Sequence, residues 1–148
     1  MFPDIMVQGM RDELTRVGFK ELRTPEEVDA ALKNEHRTAL VVVNSVCGCA
    51  AGRARPAVGM ALKHAVRPAK AASVFAGGDE AAVAHLRNIL SDYPPSSPSM
   101  ALFQDGKPVY MIHRSEIERR EPVEIAQMLT QAFDRICGSG VATSSQRV

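Results

Sequence analysis

The chain has no tryptophan, only three cysteines in 148 residues, and almost no excess of charge of either sign. With 18 basic against 17 acidic side chains the net charge is +1, which excludes the strongly basic footprint of a nucleic-acid binder, and no local basic run restores it. No apolar stretch approaches the roughly 20 residues of a membrane span; Ala39 to Val43 with its flanks is the longest and is far shorter. The opening Met1-Phe-Pro-Asp-Ile-Met lacks the basic and continuous apolar regions of a secretory signal, so a cytoplasmic protein with reduced cysteines is expected, with neither a membrane nor nucleic acid as partner. Scarce cysteine is no obstacle to folding. A chain of this length with 45% apolar residues buries roughly 70% of its unfolded surface and needs no disulfide staples. Internal repeats and interdomain linkers are also lacking, so one domain is expected over 1–137, followed by a small, polar and flexible tail over 138–148.

What is present is a series of alternating patterns. Asp4 to Val17 places Ile5, Met6, Met10, Leu14 and Val17 mainly at helical intervals, and Gly18 stops the helix. A short extended piece, Phe19 to Leu22, leads to Thr24-Pro-Glu-Glu27, where Thr24 caps, Pro25 fits the first turn and Glu27 reaches back. Thr38 to Val46 is β-branched without sustained alternation, the pattern of a strand covered on both faces. The alanine-rich stretch from Cys47 to about Val66 is helical, with Gly52 and Pro56 loosening or bending its beginning. Lys70 to Ala76 reads as a strand, followed by an Asp79-capped helix with Val83, Leu86 and Leu90 inward. Met100 to Phe103 and Val109 to Ile112 flank Asp105-Gly106, a dipeptide that favours a tight hairpin. Pro122 to Cys137 returns to helical spacing through Val123, Ala126, Leu129, Ala132, Phe133 and Ile136. From Thr38 the order is β-α-β-α-β-β-α after an N-terminal helical extension. That is an α/β chain in the order of the thioredoxin fold, a central mixed sheet flanked by helices, and a fold alone assigns no chemistry.

The chemistry has to come from the cysteines. Asn44-Ser-Val-Cys47-Gly-Cys49-Ala-Ala-Gly-Arg53 puts two thiols where a central strand ends and a helix begins, the edge at which open α/β sheets place their sites. Unpaired N–H groups and the helix dipole favour an anion there by roughly 0.3 to 2 kcal/mol, about 0.2 to 1.5 pKa units, so Cys47 can ionise near neutral pH. Arg53 and Arg55 can lower it further or can be solvated helix surface. Side chains two positions apart on a helix diverge, so Cys49 is expected to point away and to bridge Cys47 only through a small, strained and labile ring. Cys47 is then the attacking thiolate and Cys49 a conditional resolving thiol, with Gly48 between them beside the incoming group. Both cysteines could instead simply pack, as buried thiols often do. A zinc site lacks a second ligand pair, since His36, His64, His85 and His113 are scattered and Cys137 ends an apolar stripe; no metal ligand is assigned.

Val43-Asn-Ser-Val-Cys47-Gly-Cys49-Ala-Ala-Gly52, with Ala54-Arg-Pro-Ala57 after it, resembles the bacilliredoxin family of thioredoxin-like proteins, from the N-terminal helix through Phe133. The resemblance implies thiol–disulfide exchange on client proteins carrying bacillithiol, a low-molecular-weight thiol and co-substrate, with no bound cofactor. It makes Cys47 the nucleophile and Cys49 the second cysteine. Bacillithiol bears carboxylates, for which Arg53 and Arg55 are candidate contacts by charge. The thioredoxin-like pattern also implies a cis proline beside the active cysteine, and Pro98 matches that position better than Pro94 or Pro95. A cis Ser97-Pro98 bond would leave adjoining backbone free to pair with a substrate; an ordinary trans loop proline is the alternative. Two other readings remain open: a general protein disulfide isomerase or oxidase, and a non-catalytic metal- or partner-binding module.

Overall fold

The computed structural model describes residues 2–138. Apart from Gly138, the tail expected over 138–148 lies outside them. Helix α1 (Asp4–Thr15) leads to a two-residue strand β1 (Lys20–Glu21), helix α2 (Pro25–Leu32) and strand β2 (Thr38–Asn44). Helix α3 follows with a π-helical opening, Ala50–Ala54, and an α-helical body, Arg55–Ala61. Then come β3 (Lys70–Phe75), α4 (Glu80–Ile89), β4 (Ser99–Gln104), β5 (Lys107–Ile112), the short α5 (Arg114–Glu118) and α6 (Pro122–Ala132), which ends in a π-helical turn, Phe133–Cys137. Among the described residues no helix is long and apolar enough to cross a membrane.

The five strands form one sheet in the order β1-β3-β2-β4-β5. Strands β1, β3 and β2 run parallel, whereas β4 is antiparallel to both β2 and β5. β2 is therefore central, and its pleat divides its side chains between two cores. Leu40 and Val42 face α1, α3 and α6, whereas Ala39, Val41 and Val43 face α2 and α4. This double burial explains a continuous apolar run in place of alternation. The extended Phe19–Leu22 piece supplies β1, so the N-terminal segment contributes a strand as well as helices.

Local chemistry sets the boundaries. Thr24 Oγ1 accepts from Glu27 N at 3.1 Å at the start of α2, and Glu27 reaches back to the N–H of Arg23 at 2.7 Å. Asp105 and Gly106 both take positive φ, 55° and 74°, as the two-residue hairpin turn requires. Pro108 sits on edge strand β5 next to a register shift, where a missing N–H costs least. In α3, Pro56 offers no N–H, and the N–H of Arg55 donates five residues back to Ala50 O. The loosened beginning expected from Gly52 and Pro56 is this π-helical turn.

α1 is rotated relative to the sequence reading. Val7, Arg11 and Leu14 are buried, while Ile5 is 89% and Met6 66% exposed. An apolar pattern cannot select a face whose centre is an arginine. Arg11, 2% exposed, donates to Asp79 at 2.7 Å, Glu21 at 3.0 Å and Asp4 at 3.3 Å, and its guanidinium lies over the Phe75 ring at 4.9 Å. Gly78 leaves it room, since a Cβ there would lie 2.8 Å from Arg11 Nη2. Asp79 stands at the start of α4 but does not cap it, because its carboxylate is taken by Arg11 and by Arg23 at 3.2 Å. In α6 the inward residues are Ile125, Ala126, Leu129 and Ala132; Val123, counted in the helical spacing from the sequence, is 54% exposed.

Removing Arg11 strands two poorly hydrated carboxylates, the situation in which breaking a buried ion pair costs about 3–5 kcal/mol. Arg11→Met is expected to lower the unfolding free energy by about 3 kcal/mol in urea titration, the lower end because Arg23 still faces Asp79. Asp4→Asn, at the exposed rim of the cluster, is expected to lose far less.

Candidate active site

Strand β2 ends at Asn44, and three residues later Cys47 occupies the cap position of the helical turn that Gly48 and Cys49 form ahead of Ala50, leading into α3. Its carbonyl accepts from Ala50 N at 3.0 Å and Ala51 N at 3.2 Å, while its Sγ accepts from Cys49 N at 3.3 Å. A side-chain acceptor bonded to the second residue of a helix is the N-cap arrangement, here made by sulfur. Cys47 and Cys49 are half-buried, Gly48 is exposed, and nothing lies within 4 Å of where a Gly48 Cβ would stand. The approach to the sulfur is open on that side.

The thiols do not diverge. Cys49 hydrogen-bonds to Cys47 through its side chain as well as its N–H. Divergence assumes an established helix, and Cys47 stands one step before it, where the chain is still turning. The electrostatic outcome differs for the two sulfurs. Burial opposes ionisation of Cys47, but the Cys49 N–H, the Cys49 thiol, the Ala50 N–H and the Arg114 guanidinium together hold it below the ordinary thiol range. Cys49 is pushed up by burial, by its bond to Cys47 and by the Cys47 charge; Arg114 opposes this and Glu118 adds to it. Cys137 is 4% exposed within the α3/α6 core, and burial raises its pKa against a smaller opposing contribution from Thr38. That matches packing, the default sequence reading for Cys137.

The loop before β4 closes one side of the site. Ser99 pairs with Val43, which brings residues 96–98 beside the exit of β2. The Ser97-Pro98 peptide is cis, as the resemblance implied, with Pro98 buried and Ser97 half-buried. Arg114 Nη1 donates to Ser97 O at 3.2 Å, and Arg114 N donates to Ser96 Oγ at 3.3 Å.

Arg53 and Arg55 are turned elsewhere. Arg55, 5% exposed, donates to Glu13 at 3.1 Å, Asn44 Oδ1 at 3.0 Å and Ser45 O at 2.9 Å, so it braces the loop behind the cysteines from inside the protein. Arg53 donates to Arg120 O and approaches Glu121 Oε2 at 3.5 Å, tying α3 to the start of α6. Among the described residues the arginine whose charge acts on both sulfurs is Arg114, which adjacency to the cysteines in sequence did not indicate. Its signal lay in the hairpin: counting outward from Asp105-Gly106 brings residues 97 and 114 near one another. Among the described residues no three His, Cys, Asp or Glu side chains gather to hold a metal ion. His36, His64 and His85 each pair with an aspartate instead, at 2.7, 2.8 and 2.7 Å.

A family model described as Disulphide isomerase matches residues 2–137. A bacilliredoxin of Koribacter versatilis is 48% identical over 145 residues, 98% of this chain and 100% of the relative. A bacilliredoxin of Geobacillus kaustophilus is 49% identical over 137 residues, covering 93% of each chain. Among solved structures, a thioredoxin of Halobacterium salinarum superposes with a TM-score of 0.58 at 15% identity, over 82% of this chain and 92% of that one. A thioredoxin of Fasciola hepatica gives 0.52 at 18% identity, over 80% and 99%. At such identities the superpositions establish the thioredoxin fold alone.

The coupling of the two thiols is directly testable by alkylation rate against pH. Cys49→Ala removes one donor to the Cys47 sulfur, so the midpoint for Cys47 is expected to move to higher pH. Cys47→Ser removes the neighbouring charge, and the midpoint for Cys49 is expected to move lower. Unchanged midpoints in both variants would mean the sulfurs titrate independently.

Proposed function

The chain belongs to the disulphide isomerase family that includes the bacilliredoxins, and we propose that its Cys47 reduces mixed disulfides between protein cysteines and bacillithiol. It is a thiol–disulfide oxidoreductase with a thioredoxin-like fold. The observation that carries the finer reading is the Cys47 sulfur itself, a half-buried acceptor at the start of α3 whose thiolate is favoured by two N–H groups and Arg114.

In the first step the Cys47 thiolate attacks the outer sulfur of the protein–bacillithiol disulfide. A Cys47–bacillithiol disulfide forms, the client's sulfur leaves with the electron pair, and the client thiolate takes a proton from solvent. The second step has two routes. A second bacillithiol thiolate can attack the bacillithiol sulfur, releasing bacillithiol disulfide and regenerating Cys47. Alternatively Cys49 attacks Cys47, expelling bacillithiol and leaving a Cys47–Cys49 disulfide that a low-molecular-weight thiol reduces. The site favours Cys49 at that moment for an electrostatic reason. Once Cys47 is tied in a mixed disulfide, burial still holds the Cys49 pKa up, but the contribution of the Cys47 charge is gone while Arg114 stays. Cys49 is held in reserve by Cys47 and released by its reaction.

Gly48 gives the incoming group room, and Ser97 and Pro98, brought beside the exit of β2 by the pairing of Ser99 with Val43, are assigned to contact the client. Arg53 and Arg55 serve by holding the surrounding loops. The chemistry calls for no bound metal or organic cofactor, and the reduced thiols it needs fit a cytoplasmic setting. The family description favours a second reading, isomerisation of protein disulfides, in which the same Cys47 attacks a protein disulfide.

Cys47→Ser and Cys49→Ser separate these readings. With a client carrying bacillithiol, Cys47→Ser is expected to abolish release and Cys49→Ser to retain it while bacillithiol is in excess. Intact mass should place the bacillithiol adduct on Cys47. An adduct confined to Cys137, or activity restricted to scrambled protein disulfides, would overturn the proposal.

A further inference from the structure

Arg114 occupies a position that the exchange reaction uses twice. Its backbone N–H and Nη1 fix the loop before cis Pro98 through Ser96 and Ser97, while its guanidinium acts on both sulfurs. Its side chain is 44% exposed, so solvent and ligands reach it, and among the described residues its carboxylate partner is Glu118, one turn along α5 at 3.5 Å. Arg53 and Arg55 are committed to other partners, and among the described residues it is Arg114 whose charge acts on both thiols. Beside it Ser96, His113 and Ser115, with Pro94 and Pro95, line an open hollow of about 290 Å³.

The charge balance changes during turnover. In the reduced site Arg114 faces the Cys47 thiolate. When Cys47 attacks a disulfide, the new S–S bond consumes that negative charge and the electron pair departs with the leaving sulfur. Arg114 then keeps its bond to Ser97 O and the 3.5 Å approach of Glu118 but has lost the Cys47 charge. An anion carried by the incoming thiol restores the balance; an ammonium group there worsens it.

We propose that Arg114 makes this site selective for small thiols that carry a carboxylate, binding it as the Cys47 charge disappears, with the hollow beside Ser96 and Ser115 receiving the rest of the molecule. This rests on Cys47 being the nucleophile, and it assigns the charge recognition to a residue 67 positions away from it.

The test compares three symmetrical disulfides as probes, those of 3-mercaptopropionate, 2-mercaptoethanol and cysteamine, which are anionic, neutral and cationic. Rates of adduct formation on Cys47 are followed by intact mass and peptide mapping in the wild type, Arg114→Gln and Arg114→Lys. A change in Cys47 acidity or loop position scales all three rates together and cancels in the anion-to-cation ratio. That ratio is expected to fall about tenfold in Arg114→Gln, to hold within about threefold in Arg114→Lys, and to shrink in the wild type at about 1 M salt. Three rates reduced by one common factor would show that Arg114 only positions the loop, and would overturn the selectivity while leaving Cys47 as nucleophile intact. Failure of every probe to modify Cys47 in the wild type would overturn both.

Discussion

One sulfur accepting from the start of a helix is the constraint around which the site is built. The Cys47 Sγ takes the place an N-cap oxygen would have, and it becomes a better acceptor when ionised. Helix capping and acidity are thus the same interaction seen from two sides: the N–H groups that α3 must satisfy are those that favour the thiolate. β2 delivers the sulfur to this point because both its faces are buried, which fixes register and direction up to Asn44. β4 then delivers cis Pro98 to the adjoining position through the pairing of Ser99 with Val43.

Helix α1 links this site to the far edge of the sheet. Arg11 latches it to Glu21 on β1 and to Asp79 before α4. Two residues further along the chain, Glu13 receives Arg55, whose other donors hold Asn44 and Ser45 at the β2 exit. Asn44 completes the loop by donating to Met10 O at 3.2 Å and accepting from Ser45 N at 2.9 Å. Buried arginines are expensive to desolvate and do little for net stability against apolar alternatives, and in this placement of α1 both Arg11 and Arg55 meet their partners. The rotated helix, with Ile5 and Met6 outward, follows from satisfying those charges.

The sequence made the architecture legible wherever a local rule had one outcome. The β-branched run of β2, the Asp105-Gly106 turn, the Thr24 cap and the Cys47-Gly-Cys49 step at a strand–helix junction all belong to that class. What was misread involved polar groups with distant partners. Arg11 carries no signal of burial in the sequence because its carboxylates lie ten and sixty-eight residues away. Asp79 reads as a cap because its engagement by two arginines is tertiary. Arg53 and Arg55 read as site charges because they adjoin the cysteines, yet side chains a few residues past a helix start point back along other faces. Five-residue α5 was missed because so short a helix carries no periodic signal, and Arg114 was missed with it.

The spacing of one residue between the thiols has its own consequence. In an N-cap geometry the residue two places on supplies the N–H, so Cys49 presents both its N–H and its thiol to Cys47. With one more intervening residue the second thiol would stand at Ala50, whose N–H also acts on the sulfur but whose position lies further into the helix. A direct Cys47–Cys49 bond converts the acceptor thiolate into a neutral disulfide and gives up the charge-assisted cap along with the charge pairing to Arg114. Interactions confined to the reduced state lower its free energy relative to the oxidised one, which raises the reduction potential of the pair. The same contacts that ionise Cys47 therefore make its disulfides, with Cys49 or with a small thiol, easy to reduce again. A site arranged in this way passes a small thiol on and returns to its dithiol form.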